Sequence, residues 1–283
     1  MSATKPLLAV EDLRVEFPTR VGLVRAVRGV SFTLGREKLG IVGESGSGKS
    51  QTGRAILRLV APPGRLTAKR LEFDGVDLLA ADDRAMRGIR GDRIAMVLQD
   101  PKFSLNPVMT VGKQIAEAYR AHAKAGRAGA KERALEMLRA VRMRDPERVY
   151  RAYPHELSGG MGQRAMIAMM LATEPDLLIA DEPTSALDVT VQMQVLAILD
   201  DLVTERGMGL IFISHDLNLV ASFCDRVLVM YAGRVVEQLR ASELGQAKHP
   251  YTRGLLAALP RIDRPVKDLP VLRRDPQWAE EGA

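Results

Sequence analysis

The sequence predicts an α/β protein with a mostly parallel β-sheet. Two short apolar runs, 39–42 and 177–180, are followed by a glycine and by an aspartate, a pattern typical of buried strands. In the second half of the chain such strands alternate with segments of helical spacing, which is typical of a parallel sheet covered by helices. With 283 residues, 46% of them apolar, the chain is long enough for one large domain or slightly more.

Before residue 100 the pattern predicts four strands and one helix. Alternating apolar and polar residues, or short apolar runs, predict strands at 13–17, 30–34, 39–42 and 93–98. The stretch Ser50–Val60 predicts a helix with an apolar side formed by Ala55, Ile56, Leu59 and Val60.

After residue 100 a loop comes first, because two prolines and Asn106 interrupt Pro101–Pro107. The region 111–144 has helical spacing, and we expect Gly126 and Gly129 to break it into two helices. Further along, the pattern predicts strands at 177–180 and 210–213, helices at 191–203 and 216–223, and a hairpin of 226–231 with 234–236. The segment from Ile262 is rich in proline and charge, and we expect it to be loose.

Composition excludes several classes of protein. The single cysteine, Cys224, excludes an internal disulfide, a cysteine zinc site and a cysteine-held iron–sulfur cluster, and it suits a reducing cytosol. No apolar run approaches the ~20 residues that cross a bilayer, and the first fifteen residues carry no signal-peptide pattern. We therefore expect a protein that can dock on a membrane without spanning it.

Basic residues are concentrated in one stretch. Lys113–Arg151 contains eleven basic and five acidic residues, which accounts for the whole net charge of +6. Such a stripe is typical of a surface that meets nucleic acid, an anionic membrane or an acidic partner, and equally of a solvated helical face.

The most specific motif is a phosphate loop. The segment G-E-S-G-S-G-K-S at 43–50 fits G-x-x-x-x-G-K-[ST] and stands between a predicted strand and a predicted helix. Backbone N–H groups and the helix dipole then face the same anion. We expect Lys49 to reach the β- and γ-phosphates of ATP and the Ser50 hydroxyl to bind Mg²⁺. The predicted nucleotide contacts are Gly43, Glu44, Ser45, Gly46, Ser47, Gly48, Lys49, Ser50 and Gln51.

Two carboxylates, Asp181 and Glu182, follow the predicted strand 177–180. Ligands gather at the carboxyl ends of parallel strands. We expect Asp181 to hold Mg²⁺ through water, and Glu182 to act as the base toward the water that attacks the γ-phosphate. Adjacent strand residues point to opposite sides, so one dipeptide can serve both roles.

Further motifs resemble those of the ATP-binding cassette (ABC) ATPases, in that family's order. The segment L-S-G-G-M-G-Q-R at 157–164 resembles the signature motif, Gln99 resembles the Q-loop glutamine, and S-A-L-D at 185–188 resembles the D-loop. His215 resembles the switch histidine. Phe17 resembles the aromatic residue that stacks on adenine, with ordinary strand core as the alternative role.

The resemblance spans Leu7–Pro260 and implies a P-loop NTPase fold, an ABC-type nucleotide-binding domain at 7–260. It implies an N-terminal antiparallel β-subdomain and an inserted helical subdomain at about 101–165. Catalytic roles are implied for Lys49, Gln99, Glu182 and His215, and Mg²⁺ binding for Ser50, Gln99 and Asp181.

The signature segment is a second phosphate clamp, because it opens a helix with a serine and two glycines. One chain has no use for two clamps on one γ-phosphate. The family resolves this with a head-to-tail dimer that places ATP between one subunit's phosphate loop and the other's signature. The nucleotide contacts implied there are Ser158, Gly159, Gly160 and Asp188.

Three segments resemble the oligopeptide, dipeptide and nickel importer ATPases: 43–52, 99–107 and H-P-Y-T-R at 249–253. We expect 249–253 to lie outside the catalytic core, within a C-terminal extension at 245–283. Its apolar residues predict a helix docked on the core through Leu255, Leu256 and Leu259. Two departures from the family are Gly162, where a longer and often basic residue is usual, and the missing cysteine cluster of many peptide importers.

The implied function is ATP hydrolysis that powers import of a peptide or related small solute. The implied partners are membrane permease subunits, a second and related ATPase subunit, and indirectly an extracytoplasmic solute-binding protein, with no nucleic acid. The implied location is the cytoplasmic face of the inner membrane, as a peripheral protein. The basic stripe falls in the helical subdomain, which in the family meets the permease.

Two alternatives remain open at this point. A nucleic-acid-directed ABC ATPase of repair or translation is favoured by the positive charge. It is disfavoured by an aromatic content of 4%, because such proteins need base-stacking side chains. In a P-loop kinase, the signature and D-loop motifs would have no role.

Overall fold

The computed structural model describes residues 5–99, 104–185 and 187–259, together with Asp275 and Trp278. Two compact units divide the chain: unit 1 contains residues 1–81 and 211–283, and unit 2 contains residues 82–210. The segment from Ile262, which we expect to be loose, lies outside the described residues apart from those two positions. The start of the loop predicted at Pro101–Pro107 also lies outside them.

Unit 1 contains an antiparallel sheet, as the sequence predicts. Its strands have the order β2-β1-β5-β6, with β4 also paired to β1. They are β1 (Leu8–Thr19), β2 (Gly22–Leu34), β4 (Arg65–Thr67), β5 (Arg70–Phe73) and β6 (Val76–Asp77). The alternating apolar residues of β1 and β2, among them Leu13, Val15 and Val30, are fully buried, so one face of the long hairpin forms core.

A second sheet of unit 1 carries the strand that leads into the phosphate loop. Its strands here have the order β11-β10-β3-β9. They are β3 (Lys38–Val42), β9 (Gly209–Ser214, whose first residues belong to unit 2), β10 (Arg226–Tyr231) and β11 (Arg234–Arg240). Strand β10 runs parallel to β3 and forms a hairpin with β11. The two turn residues, Ala232 and Gly233, both have positive φ, as a tight hairpin turn requires, and the predicted hairpin is confirmed.

The described residues of unit 1 form three α-helices: α1 (Lys49–Ile56), α8 (Leu217–Phe223) and α9 (Pro250–Ala257). Helix α1 is shorter than the predicted Ser50–Val60. Arg58 adopts a left-handed φ of 54°, and the N–H of Leu59 bonds back to the carbonyl of Arg54 at 2.8 Å, so the helix ends with an αL cap. Leu59 is consequently 47% exposed, and its predicted place on the apolar side is wrong.

The described part of unit 2 contains two complete strands, the first residues of β9 and most of the helices. Strands β7 (Ile94–Val97) and β8 (Leu177–Asp181) pair in parallel, and both are entirely buried. The helices are α2 (Asp83–Arg87), α3 (Val111–Arg120), α4 (Arg127–Ala140), α5 (Pro146–Arg151), α6 (Gly159–Met170) and α7 (Val189–Glu205). Gly126 precedes α4 as its N-cap, as expected, whereas Gly129 lies inside α4 and breaks nothing. Among the described residues, no helix is both long and apolar enough to cross a bilayer.

Cys224, directly after α8, is predicted to be chemically inert in the folded protein. The residue is 8% exposed, and its burial raises the pKa of the thiol to about 12. Because the thiolate is the nucleophile, we expect a thiol reagent at about pH 8 to react at least ~10²-fold more slowly with the native chain than with the chain unfolded in denaturant. Stopped-flow measurement with a chromogenic disulfide tests this, and equal rates in both states would contradict it.

Candidate functional site

The phosphate loop joins the end of β3 to the start of α1, as predicted, and sterics require glycine at two of its positions. Gly43 has a φ of 154° and Gly48 a φ of 101°. A Cβ on Gly43 would lie 2.1 Å from the carbonyl oxygen of Met230, and a Cβ on Gly48 would lie 2.4 Å from that of Ala26. Strands β10 and β2 therefore press backbone directly against the loop, which leaves no room for a side chain.

Lys49, the first residue of α1, is 5% exposed and turns back over the loop. Its Nζ donates hydrogen bonds to the carbonyl oxygens of Gly43 at 2.8 Å and Glu44 at 2.9 Å. These partners hold the ammonium group inside the loop, beside the N–H groups of its backbone. A phosphate entering the loop would meet this positive charge at once.

The hydroxyl of Ser47 also fits a phosphate ligand. Ser47 is 4% exposed, and its Oγ has no hydrogen-bond partner among the described residues. Its carbonyl oxygen accepts from the N–H of Gly233 at 3.0 Å, so the hairpin turn fixes the backbone while the side chain keeps its bonding capacity. A buried hydroxyl without a partner is costly unless a ligand supplies one.

Unit 1 also contains Phe17 and His215. The Phe17 ring is half-buried, and its Cε1 would lie 2.6 Å from a Cβ on Gly64, so part of the ring packs on that backbone. His215 is exposed and follows β9 directly, at the carboxyl end of a strand, as predicted. Gln51 lies in the first turn of α1.

In unit 2 the structure brings two predicted residues together. Asp181 ends β8 and is 3% exposed. Glu182 follows with a left-handed φ of 48°, a conformation that costs a non-glycine residue roughly 1–3 kcal/mol and that is concentrated at functional sites. The Nε2 of Gln99 donates to the Oε2 of Glu182 at 3.1 Å. The amide of Gln99 thus orients the carboxylate, and its oxygen keeps acceptor capacity.

The signature segment opens α6 as predicted. Ser158 is the N-cap, and its Oγ accepts from the N–H of Met161 at 3.4 Å. Gly160 has a packing reason that the motif does not reveal: a Cβ there would lie 2.4 Å from Cγ1 of Val191 in α7. Arg164, one turn along, donates to the carbonyl oxygen of Gly160 at 3.3 Å, and burial together with the charge of Arg144 lowers the pKa of its guanidinium.

Asp188 of the D-loop segment has a structural role in this chain. It is the N-cap of α7, and its Oδ1 accepts from the N–H of Val191 at 3.0 Å. Ala186 lies outside the described residues. The capping role accounts for an aspartate here, and the contact with nucleotide across a dimer stays a prediction.

A cavity of about 810 Å³ lies beside Ser158 and is rich in arginine. Its lining includes Arg142, Arg144, Arg148, Arg151 and Arg164, with Asp145 and Glu156 as the acidic residues. Four of these arginines belong to the basic stripe at 113–151. The stripe therefore contributes positive potential next to the signature serine, where an anionic group would be favoured.

The residues predicted to bind Mg²⁺ are chemically suited to it. Ser50 offers a hydroxyl, Gln99 an amide oxygen and Asp181 a carboxylate, and Mg²⁺ takes oxygen ligands of these kinds together with phosphate and water. Ser50 belongs to unit 1, and the other two belong to unit 2.

One residue near the phosphate loop is missed by the sequence reasoning. The segment 249–253 is expected to lie outside the catalytic core, yet the hydroxyl of Tyr251 accepts from the N–H of Glu44 at 3.1 Å. Tyr251 and Thr252 are fully buried, whereas Leu255, Leu256 and Leu259 are half-buried, so the most deeply buried residues of helix α9 lie in its first turn and not among the predicted leucines. The two partners are 207 positions apart, and no local pattern connects them.

Comparisons with known proteins agree with the motifs. The family model described as "ABC transporter" matches residues 27–185. A probable peptide ABC transporter ATP-binding protein of Sinorhizobium fredii is 54% identical over 260 residues, which cover 90% of this chain and 77% of the relative. An oligopeptide transport ATP-binding protein of Bacillus subtilis is 50% identical, over 91% of this chain and 73% of the relative. A dimeric ATP-binding cassette solved in a post-hydrolysis state with ADP and Pi has a TM-score of 0.74 and 27% identity, over 83% of this chain and 98% of that one.

The two glycines Gly43 and Gly46 provide a matched pair for the steric requirement of the loop. Both have positive φ, but a Cβ on Gly46 would meet nothing within 4 Å. We expect Gly46→Ala to cost about 1–2 kcal/mol through backbone strain. Gly43→Ala should cost more, because the methyl group also collides with the Met230 carbonyl. Urea unfolding of both variants measures the difference, and equal stabilities would contradict the close approach.

Proposed function

The chain belongs to the ABC transporter family, and we propose that it is the ATPase subunit that powers peptide import through separate permease subunits. ATP hydrolysis follows from membership in the family. Peptide import, the partners and the role of each residue are the proposed parts.

The observation that supports nucleotide binding best is the phosphate loop. Backbone carbonyls pack against Gly43 and Gly48, Lys49 is buried over the loop, and the buried hydroxyl of Ser47 has no partner in the part of the chain that the structure describes. A loop of backbone N–H groups with a buried ammonium and a spare hydroxyl is suited to a polyphosphate.

Peptides are the proposed cargo because of the relatives. The proteins from Sinorhizobium fredii and Bacillus subtilis are named for transport of peptides and oligopeptides. Their similarity covers about nine-tenths of this chain. Since ATPase subunits do not bind the cargo, peptide selection itself would belong to the permease and to the extracytoplasmic binding protein.

We assign the following chemistry to the chain's own residues. Lys49 and the loop N–H groups bind the β- and γ-phosphates, while Ser50, Gln99 and Asp181 hold Mg²⁺, which neutralises phosphate charge when bound. Glu182 accepts a proton from a water molecule while the oxygen of that water attacks the γ-phosphorus. The bond from that phosphorus to the bridging oxygen breaks, and ADP and phosphate leave. His215 is assigned to sense the γ-phosphate, and Phe17 to stack on adenine.

The signature segment of this chain is assigned to contact ATP that is bound to the phosphate loop of a second subunit. Ser158, Gly159 and Gly160 present a hydroxyl and a helix N-terminus, beside the arginine-lined cavity. We propose that they close on ATP held by a second and related ATPase subunit, with Asp188 at the same interface. The assembled pair would dock on the cytoplasmic face of the membrane, against the permease subunits.

Replacing Glu182 with glutamine is expected to lower ATP hydrolysis by at least ~10²-fold, because an amide cannot take up the proton. MgATP binding should persist, since Lys49, Ser50 and Asp181 are unchanged. Both are measured on the purified protein by phosphate release and by nucleotide titration. A matched control is Glu205→Gln, which makes the same change at the exposed end of α7 and should leave hydrolysis unaltered.

Full turnover by Glu182→Gln would contradict the assignment of Glu182 as the base.

Peptide import is tested by uptake of a labelled peptide into cells that lack the chain and are supplied with either the wild-type chain or the Glu182→Gln variant. Uptake that depends on the wild-type chain and fails with Glu182→Gln is expected, and undiminished uptake without the chain would contradict the proposal.

The shared site predicts complementation between two inactive variants. Lys49→Ala disables the loop, and Ser158→Arg disables the signature. When the two variant chains pair with each other in place of the related subunit, one of the two sites of that dimer combines an intact Lys49 with an intact Ser158, so we expect partial ATPase activity to return on mixing. Full activity of Ser158→Arg alone would contradict its role in the partner's site. Rapid hydrolysis by a strictly monomeric wild-type chain would contradict a shared site.

A further inference from the structure

The segment His249–Thr252 is tied firmly to the hairpin of unit 1. The N–H groups of Lys248 and His249 donate to the carboxylate of Glu237 in β11 at 2.6 and 3.3 Å. The Nδ1 of His249 accepts from the N–H of Tyr251 at 3.2 Å and caps α9. The first turn of α9 is thereby fixed at its backbone, because its end N–H groups have partners.

The side chain of Tyr251 points from this turn into the core. It is fully buried, and its ring packs against that of Tyr231, tilted by 48° with the centroids 4.6 Å apart. Tyr231 ends β10 and precedes the turn whose Gly233 donates to the carbonyl oxygen of Ser47. The same hairpin therefore contacts both the Tyr251 ring and the phosphate loop.

The hydroxyl of Tyr251 fixes one particular peptide group. The carbonyl of Gly43 and the N–H of Glu44 belong to a single planar peptide. Its N–H donates to Tyr251 Oη at 3.1 Å, and its oxygen accepts from Lys49 Nζ at 2.8 Å. Tyr251 thus holds one end of the peptide, and the ammonium group of Lys49 occupies the other.

We propose that Tyr251 is a positioning residue for nucleotide binding, and that the C-terminal segment acts as a brace for the phosphate loop. When ATP arrives, Lys49 must exchange carbonyl partners for phosphate oxygens. The Gly43–Glu44 peptide then loses that contact, and glycine itself restricts the rotation of the peptide less than any other residue would. The bond from Tyr251 keeps the peptide in place, so the loop retains the shape that fits a phosphate. This inference rests on the proposed nucleotide site.

The test is Tyr251→Phe in the full-length chain. Phenylalanine retains the buried ring and removes the hydroxyl, which is the acceptor for the N–H of Glu44. We expect the Kd for MgATP to rise about three- to tenfold, the range that corresponds to loss of one neutral hydrogen bond. In steady-state ATP hydrolysis the KM for ATP should rise similarly, with kcat within about twofold, because Glu182 and Gln99 are untouched.

A matched control is Thr252→Val. The neighbouring hydroxyl is also fully buried, but it has no hydrogen-bond partner among the described residues, and valine has nearly the same shape. We expect this variant to bind MgATP like the wild type. Thermal unfolding of both variants reports on folding, and a general loss of packing would lower the active fraction, and with it the apparent kcat, without moving KM.

The outcomes separate the two proposals. If the wild-type chain fails to bind MgATP, the proposed function fails. If the wild type binds and Tyr251→Phe binds equally well or more tightly, the brace fails and the proposed function stands. If Thr252→Val weakens binding as much as Tyr251→Phe does, the packing of α9 and not the hydroxyl is responsible, and the assignment to Tyr251 is overturned.

Discussion

The phosphate loop depends on a steric constraint: backbone carbonyls from other strands approach it where a side chain would stand. The oxygen of Met230 in β10 and that of Ala26 in β2 lie 2.1 and 2.4 Å from the positions of absent Cβ atoms. The shape of the loop therefore depends on the antiparallel sheet, the strand β3 and the hairpin β10–β11. A glycine-rich segment has high conformational entropy when unfolded, and this close packing is what restricts it to one conformation.

Some polar groups of the loop form hydrogen bonds within the protein, and others are suited to a ligand. Lys49 bonds to the carbonyls of Gly43 and Glu44, and Gly233 bonds to that of Ser47. These bonds use the carbonyls, which a phosphate cannot use. The hydroxyl of Ser47 is left without a partner among the described residues. The carbonyls of the loop are thus held by hydrogen bonds within the protein, whereas a hydroxyl that can bind an anion lacks a partner among the described residues. A site is preorganised when its binding groups are positioned in this way before the ligand arrives.

In unit 2 the candidate site residues are positioned by backbone strain and by a side-chain hydrogen bond. Glu182 holds a strained φ of 48° at the end of a buried strand, and Gln99 bonds to its carboxylate. Beside the signature helix, Arg144, Arg148 and Arg151 form no ion pair with any residue that the structure describes, and Arg142 is paired with Asp201. Positive charge concentrated around a cavity attracts an anionic group at long range. Four arginines of the basic stripe line a cavity beside the signature serine.

The sequence by itself determined the α/β class, the order of most strands and helices, the phosphate loop and its lysine, and the acidic pair after β8. These features are local: apolar periodicity, glycine spacing and the residue that ends a strand are read within about ten positions. The sequence was less decisive about where helices begin and end, because signals that continue a helix and signals that end it occur close together. The length of α1 and the effect of Gly129 differ from expectation, because Arg58 takes a left-handed cap and α4 tolerates a glycine.

Only the tertiary structure decided the contacts that join distant segments. It placed the hydroxyl of Tyr251 on the N–H of Glu44, 207 positions away, and it brought Gln99 to Glu182. It also gave Gly160 a reason to be glycine, which is the close approach of Val191 from α7. Such contacts depend on how strands and helices pack, and a hydrogen bond of about 3 Å has no periodic signature in the chain. The sequence could therefore specify which residues form the site, while the packing of the fold decided which distant residues hold those site residues in position.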